Sequence, residues 1–189
     1  MSTERILQEL AESMPLSKEG LDLQKNGQGF GLIIVDEVNG FATVGAGNLA
    51  PQTPNEQVSV MISETNRLAN AFTKQEMPVL LFLDTHDPGK PEPPYPPHCE
   101  RGTGEEDLVP ELEWLENDPG ATLVRKDCIN GFIGAFKPDG SNAIIDWVRD
   151  HQLKNVLVVG ICTDICVMDF VLTLLSARNH GMLPGMKEV

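Results

Sequence analysis

The chain has 189 residues, of which 41% are hydrophobic, and its 28 acidic against 14 basic side chains give a net charge of −14. This length and composition predict one globular domain with a hydrophobic core. The acidic balance argues against nucleic acid or an anionic membrane as a partner, because both are bound through clustered Lys and Arg. No apolar run approaches the ~18 residues of a membrane span, and the charged start does not suit a signal peptide.

The four cysteines are Cys99, Cys128, Cys162 and Cys166. They are too few for a disulfide scaffold, and they lack the paired C-x-x-C spacing of a structural zinc site. We therefore expect the protein to work in a reducing, cytoplasmic setting.

The chain begins with a predicted N-terminal helical extension, residues 1–28, in which residues 4–14 carry apolar side chains at helical spacing. The apolar run 30–35 predicts a first buried strand, which ends at Asp36. A carboxylate at the carboxyl end of a parallel strand lies at the edge where open α/β sheets bind ligands. Taken alone, Asp36 is more readily interpreted as a helix cap or a turn residue.

Asn55 is the predicted N-cap of a long helix, whose apolar residues follow the i, i+3, i+4, i+7 pattern of one buried face until Pro78. A second buried strand over 79–83 follows and ends at Asp84. Six of the ten residues from 88 to 97 are proline, which predicts a stiff, extended loop. Loops at the carboxyl edge of a sheet are where sites are usually built.

His86, Asp87 and His98 lie at the two ends of this loop and carry side chains that can ligate a metal. Their spacing is loose, and exposed histidines and aspartates in loops are more often solvated or capping. From the residues alone, both interpretations stay open.

A short third strand is predicted over 121–125, with Lys126 at its end. A lysine in this position is usually solvated, but near a thiol it would lower the thiol pKa. Ser141 is the predicted N-cap of a further helix with an apolar face over 144–148.

The run 156–159 is β-branched and apolar without alternation, as in a strand buried on both faces, and Gly160 ends it. Thr163 or Asp164 is the predicted N-cap of the buried helix that follows, so Cys166 falls in the first helical turn.

The partial positive charge of a helix N-terminus favours a thiolate, which makes Cys166 a candidate nucleophile. A cysteine in an apolar helix is more often simply part of the core. This last helix is predicted to end near Asn179, with Gly181 as its C-cap residue.

Strands and helices alternate along the chain, which predicts an α/β fold: a Rossmann-like three-layer sandwich with a parallel sheet and helices on both faces. In such a fold the carboxyl ends of the strands share one edge. We therefore expect Asp36, Lys126 and Cys166 to lie near one another, an acid, a base and a thiol suited to nucleophilic catalysis.

These residues and the motifs around them resemble the isochorismatase-like cysteine hydrolases. The matching segments are D-E-V-N-G-F from Asp36, D-T-H-D from Asp84, P-H-C around His98, Lys126, and G-I-C-T-D-I-C-V from Gly160. The proline-rich loop and the N-terminal extension are most similar to plant-type nicotinamidases. The resemblance implies a hydrolase domain over 29–189 that converts nicotinamide to nicotinate and ammonia through a cysteine thioester, as in NAD salvage.

By this resemblance, Asp36 would take the proton of Cys166, and Lys126 would stabilise the thiolate and orient the acid. The backbone N–H groups of Cys162 and Cys166 would form the oxyanion hole. The resemblance also implies a cis peptide bond between Ile161 and Cys162.

The resemblance implies a divalent metal, zinc, that binds the ring nitrogen of the substrate. Asp87 and His98 match two of its ligands in the family. The usual second histidine falls at Gly89 in this sequence, so Glu92 or His86 would have to take its place.

A small-molecule substrate is the partner that the resemblance implies, with Phe41 and Tyr95 as matching pocket aromatics and Tyr95 stacking on the ring. The family continues past the position of Val189 with another strand or two and a closing helix. We therefore expect an unfinished sheet edge and a chain less stable than its longer relatives.

Three alternatives stay open. The chain could be another amidohydrolase of the same superfamily, although isochorismate cleavage would not need the Cys166 thiol. It could be an inactive, truncated interaction protein. Cys162 and Cys166 could form a redox pair, although C-x-x-x-C spacing into a helix suits a disulfide poorly. The sequence also leaves open whether the protein is a homo-oligomer.

Overall fold

The computed structural model describes residues 29–189 and, before them, Arg5, Glu9, Glu12 and Ser13. These four residues are helical. The rest of the predicted N-terminal extension lies outside the described residues.

The described part of the chain contains a sheet of four parallel strands in the order β3-β2-β1-β4. Their bounds are Phe30–Val35 for β1, Val79–Asp84 for β2, Ala121–Lys126 for β3 and Asn155–Gly160 for β4. All four strands were predicted from their apolar runs, and the parallel α/β fold is confirmed.

Helices lie between these strands and after the last one. They are α1 (Asn39–Ala42), α2 (Glu56–Thr73), α3 (Gly131–Gly134), α4 (Ala143–Asp150) and α5 (Met168–Asn179), together with a 3₁₀ helix (Glu113–Asn117) and a π-helical turn (Thr163–Val167). Within the described residues, none of these helices combines the length and apolarity needed to cross a membrane.

The sheet is buried on both faces because alternate side chains of the central strands enter two separate cores. Ile33 and Val35 of β1 pack with residues of α3, α4 and α5 on one face. Leu32 and Ile34 pack with residues of α2 on the other face. Because alternate side chains are buried on opposite faces, β1 and β2 are apolar along their whole length. The sheet and the helices on its two faces form the three predicted layers.

Two predicted N-caps are wrong by one or a few residues. The N-cap of α4 is Asn142, whose side chain accepts from the N–H groups of Ile144 and Ile145, whereas the Ser141 hydroxyl contacts Asp139. Both residue types make good caps, and the asparagine lies one residue closer to the apolar face.

The second wrong N-cap is at the last helix, where neither Thr163 nor Asp164 is a cap. Both residues lie inside the π-helical turn, which starts after Cys162 and carries Cys166. The predicted N-cap Asn55 is found, whereas the C-cap of α5 is His180, one residue before the predicted Gly181, which has the left-handed φ of +88°.

Gly160, at the end of β4, lets two strands approach closely at the carboxyl edge of the sheet. It pairs with Val35 of β1 and has φ +133°. A Cβ atom on Gly160 would lie 2.1 Å from the Val35 carbonyl oxygen, a distance that no side chain can adopt without moving the backbone. The register between β1 and β4 therefore requires glycine at this position.

We predict that Gly160→Ala destabilises the protein by about 4 kcal/mol or more, because the backbone cannot accommodate the added methyl group. Gly140→Ala is the matched control: Gly140 also has a positive φ, but its Cβ would meet no atom within 4 Å. That control should cost only about 1 kcal/mol. Urea unfolding followed by circular dichroism measures both, and equal losses would contradict the steric explanation.

Candidate active site

The three strand-end residues that the sequence suggested meet at the carboxyl edge of the sheet. Asp36 follows β1, Lys126 ends β3, and Cys166 lies in the π-helical turn after β4. The Lys126 Nζ atom lies 2.8 Å from Asp36 Oδ2. It also lies 2.8 Å from Oδ1 of Asp84, a residue whose role was not predicted from the sequence.

Lys126 is held in place by these two carboxylates and by the carbonyl oxygen of Cys128, which accepts from its ammonium group at 3.0 Å. Asp84 and Lys126 are register partners on β2 and β3, so their side chains leave the sheet side by side. Burial alone would lower the pKa of Lys126, but the charges of Asp36 and Asp84 outweigh it and raise the pKa. The lysine is therefore a fixed cation.

Asp36 is fully buried, and its backbone is in the left-handed region at φ +54°. Its N–H group donates to the Phe82 carbonyl oxygen at 3.0 Å, which ties this turn to β2. Burial raises the pKa of Asp36 to about 6, opposed by the neighbouring Lys126 charge and supported by that of Asp84. The carboxylate is thus ionised at neutral pH, yet basic enough to accept a proton.

Cys166 is buried, and its thiol differs from the sequence-based expectation. Burial and the negative charge of Asp36 raise its pKa, and the Lys126 charge offsets only part of this effect. A helix start favours a thiolate, but at Cys166 burial outweighs that effect and favours the thiol. The resting group is a thiol that needs a base.

A second cluster lies beside this group. Asp84 Oδ2 is 3.0 Å from His86 Nε2 and 3.2 Å from His98 Nε2. Ligand atoms of the three side chains all lie within 4.8 Å of one another, and all three residues are buried. The spacing D-x-H places Asp84 and His86 on the same side of an extended segment, a signal that the sequence did contain.

The histidine His98 is oriented for ligation through Nε2. Its Nδ1 atom lies 2.8 Å from the Pro96 carbonyl oxygen, which can only accept, so Nδ1 carries the hydrogen. Nε2 then faces carboxylate oxygens of Asp84 and, at 3.5 Å, of Glu92. A lone pair facing two carboxylates is stable only with a proton or a cation between them. Although burial opposes it, the Asp84 hydrogen bond raises the pKa of His98.

Of the two predicted acidic ligands in this loop, Glu92 lies beside the histidines and Asp87 does not. Glu92 Oε2 lies 3.5 Å from His86 Nε2, and Glu92 Oε1 accepts from the Ile129 N–H at 2.9 Å. Asp87 does not lie in the cluster: its side chain is 72% exposed, with Oδ1 3.4 Å from Arg101 Nε. The predicted ligand Asp87 therefore lies outside the candidate cluster, in which Asp84 is the carboxylate.

Asp84, Glu92, His98 and Cys166 line a cavity of about 150 Å³. Phe41 and Tyr95 both contribute to its wall, as the resemblance implied, and so do Cys162 and Cys166. The full lining is Phe41, Leu49, Asp84, Glu92, Tyr95, His98, Ile129, Cys162, Ile165 and Cys166. Leu49, Ile129 and Ile165 could not be predicted as site residues, since isolated aliphatic residues carry no signal of a site.

The peptide bond between Ile161 and Cys162 is cis, as the resemblance implied. Cys162 has an extended backbone, and its carbonyl oxygen accepts from the N–H groups of Ile165 and Val167 at 3.2 Å. The turn therefore brings Cys162 and Cys166 to the same cavity wall.

A parallel α/β sheet with a carboxylate, a lysine and a thiol at its carboxyl edge defines a cysteine-dependent hydrolase scaffold. The Isochorismatase domain model matches residues 31–184. The chain belongs to this family, and the resemblance seen in the sequence is confirmed.

Individual relatives agree with this assignment. The chain is 53% identical to Nicotinamidase 1 of Arabidopsis thaliana over 186 residues, which is 98% of this chain and 76% of that protein. Nicotinamidase PncA of Bacillus subtilis is 26% identical, with a TM-score of 0.65 over 85% of this chain and 82% of its own. The pyrazinamidase of Pyrococcus horikoshii in complex with zinc, 22% identical, shares the fold with a TM-score of 0.60 over 81% and 80%.

We predict that Lys126→Met destabilises the protein by about 3–5 kcal/mol, because Asp36 and Asp84 would keep buried negative charges without a counter-ion. The control is Lys90→Met, which breaks the exposed ion pair with Asp127 and should have little effect. Guanidinium unfolding at pH 7 gives both values. Similar losses in the two variants would show that the buried ion group contributes little.

Proposed function

We propose that the protein is an amide hydrolase that converts nicotinamide to nicotinate and ammonia through a thioester on Cys166. The observation that supports this most directly is the buried Asp36–Lys126 ion pair beside the Cys166 thiol, which lines the cavity. Identity of 53% to Nicotinamidase 1 over nearly the whole chain supports the same substrate.

The first step follows from the pKa values of the two reacting groups. Asp36 is ionised at neutral pH, and the Cys166 thiol is protonated. Asp36 takes the thiol proton as the sulfur attacks the amide carbon, forming the carbon–sulfur bond and placing a negative charge on the amide oxygen. Lys126 keeps its charge throughout and stabilises the developing thiolate.

The oxyanion is assigned to the backbone N–H groups of Cys162 and Cys166, which lie on the same cavity wall. Collapse of the tetrahedral intermediate breaks the carbon–nitrogen bond, and Asp36 returns its proton to the leaving ammonia. The same carboxylate then takes a proton from a water molecule, whose oxygen attacks the thioester. Collapse of this second intermediate breaks the carbon–sulfur bond, the proton on Asp36 passes to the sulfur, and release of the carboxylic acid leaves the thiol restored.

The cavity suits a flat aromatic amide. Phe41 and Tyr95 come from different segments of the chain and present their rings to the same space, while Leu49, Ile129 and Ile165 complete an apolar wall. Such walls bind a ring by contact area and leave orientation to a few polar groups. Tyr95 is the residue that we assign to stacking on the ring.

The donors Asp84, His86 and His98 suit a divalent cation, with Glu92 as a further oxygen within reach. Two imidazole nitrogens and carboxylate oxygens are a donor set that zinc accepts. Bound there, the cation would supply a Lewis-acid contact for the ring nitrogen and fix the ring in the cavity. The Pro96 carbonyl and Lys126 are the protein groups that orient His98 and Asp84.

The physiological setting that we propose is cytoplasmic salvage of pyridine nucleotides, in which nicotinamide is a small-molecule substrate. The reduced thiols that this chemistry needs agree with a reducing compartment, since all four cysteines are free.

We predict that Cys166→Ala lowers ammonia release from nicotinamide by at least about 10³-fold, because the nucleophile is lost. Cys128→Ala is the matched control, since its thiol lies outside the cavity lining. A coupled ammonia assay with nicotinamide, pyrazinamide and an aliphatic amide measures rate and specificity together. Activity retained in Cys166→Ala, or a preference for the aliphatic amide, would contradict the proposal.

We predict that His86→Asn lowers zinc affinity by at least about tenfold, because it removes one nitrogen donor from the cluster. Asp87→Asn is the control and should bind zinc as the wild type does, because Asp87 is exposed and lies outside the cluster. Equilibrium dialysis against a zinc-buffered solution gives both dissociation constants without any activity assay. Loss of affinity in Asp87→Asn alone would restore the ligand set inferred from the sequence.

A further inference from the structure

Glu37, the residue after Asp36, is a fully buried acid that the proposed mechanism does not use. Its Oε1 atom accepts a hydrogen bond of 2.6 Å from the Thr65 hydroxyl on α2. Its Oε2 atom is buried and has no hydrogen-bond partner among the described residues. A buried carboxylate with a single hydrogen-bond donor has a high free-energy cost of ionisation, so the presence of Glu37 here needs an explanation.

The backbone around Glu37 is fastened on both sides. The Val38 N–H donates to the Asp36 carbonyl oxygen at 2.8 Å, closing a three-residue turn centred on Glu37. The Glu37 carbonyl oxygen accepts from the Val109 N–H at 3.1 Å. The side chain adds the contact to Thr65, so Glu37 connects the left-handed turn at Asp36 to α2 and to the segment at Val109.

No other charge on the surrounding elements compensates Glu37 within the described residues. Asp36 faces Lys126, and Glu64 and Arg67 of α2 pair with each other at the surface. In the segment before Val109, each acid also has its own partner: Glu105 with the Cys99 N–H, Glu106 with the Gly102 and Gly104 N–H groups, and Asp107 with Arg125. Burial therefore raises the pKa of Glu37 to about 7, with the Thr65 hydrogen bond lowering it only in part.

We infer that Glu37 is a positioning residue for Asp36, and that its neutral carboxyl group, bound to Thr65, is the form that holds Asp36 in the left-handed turn facing Lys126 and Cys166. Ionisation leaves a buried charge with one donor and favours an opened contact in which water reaches the carboxylate. The turn at Asp36 then loses its support from α2, and the base is no longer held against the thiol. The inference rests on the proposed function only in taking Asp36 as the base.

The first test compares kcat and KM of Glu37→Ala, Glu37→Gln and wild type below and above the Glu37 pKa of about 7. Glu37→Ala should lower kcat by about tenfold or more with KM changed by less than about twofold, because Glu37 does not line the cavity. Glu37→Gln, a neutral isostere, should restore most of kcat at low pH and keep it above pH 7, where the wild type declines. Thr65→Val should resemble Glu37→Ala.

Glu64→Gln is the matched control, since it makes the same chemical change on the exposed side of α2. It should leave the pH profile of the wild type unchanged. A Glu37→Gln profile that coincides with the wild-type profile overturns the inference, and so does a Glu37→Ala variant with wild-type kcat.

A second measurement does not depend on the substrate. The rate of Cys166 alkylation by iodoacetamide, followed against pH, reports how well Asp36 is held as the base. In the wild type this rate should rise with pH less steeply across pH 7 than in Glu37→Gln. If nicotinamide is not hydrolysed but this difference in alkylation appears, the proposed function fails and the inference about Glu37 stands. If nicotinamide is hydrolysed and the difference is absent, only the inference is overturned.

The titration of Glu37 also predicts how the unfolding free energy changes with pH. Because burial raises the pKa of Glu37 from its ordinary 4.5 to about 7, the folded protein binds the proton more tightly than the unfolded chain. The unfolding free energy therefore falls as pH rises from about 4.5 to 7 and is level above that range. The melting temperature of Glu37→Gln relative to wild type should rise by about 4 °C or more across this window. If the difference in melting temperature between Glu37→Gln and wild type stays constant with pH, the inference is overturned.

Discussion

The ammonium group of Lys126, enclosed by Asp36 and Asp84, is the interaction on which the site depends. Three charges removed from water carry a large desolvation cost, which is offset only if each has a close partner of opposite sign. The parallel sheet provides this arrangement, since Asp84 and Lys126 are register partners and Asp36 follows the neighbouring strand. The fold and the chemistry are thus linked through one lysine.

Asp36 and Asp84 share the cation Lys126, but the two carboxylates have different roles. Asp36 is the more deeply buried, and its pKa is raised to about 6, within reach of proton transfer at neutral pH. Although burial opposes it, hydrogen bonds from His86 and His98 and the charge of Lys126 lower the pKa of Asp84. Asp84 therefore stays ionised and suits a cation, whereas Asp36 suits a proton.

Much of this arrangement could be predicted from the sequence, because it follows from where strands end. The apolar runs predict the four strands, and the rule that parallel strands share a carboxyl edge is enough to place Asp36, Lys126 and Cys166 close together. The choice between Asp84 and Asp87 could not be settled by spacing, since it depends on which side of the chain each side chain faces. The protonation of Cys166 depends on burial, which the sequence of one turn does not reveal.

The proline-rich loop supplies both an aromatic wall and a candidate ligand from one rigid segment. Tyr95 enters the cavity, and His98, three residues later, faces Asp84. Contacts from Lys90 to Asp127 and from Glu92 to the Ile129 N–H fasten this loop to the end of β3. Because one segment carries both side chains, an insertion of one residue between Tyr95 and His98 would shift the aromatic wall relative to the candidate ligand, while Phe41, Asp84 and His86, which come from outside the loop, would keep their places.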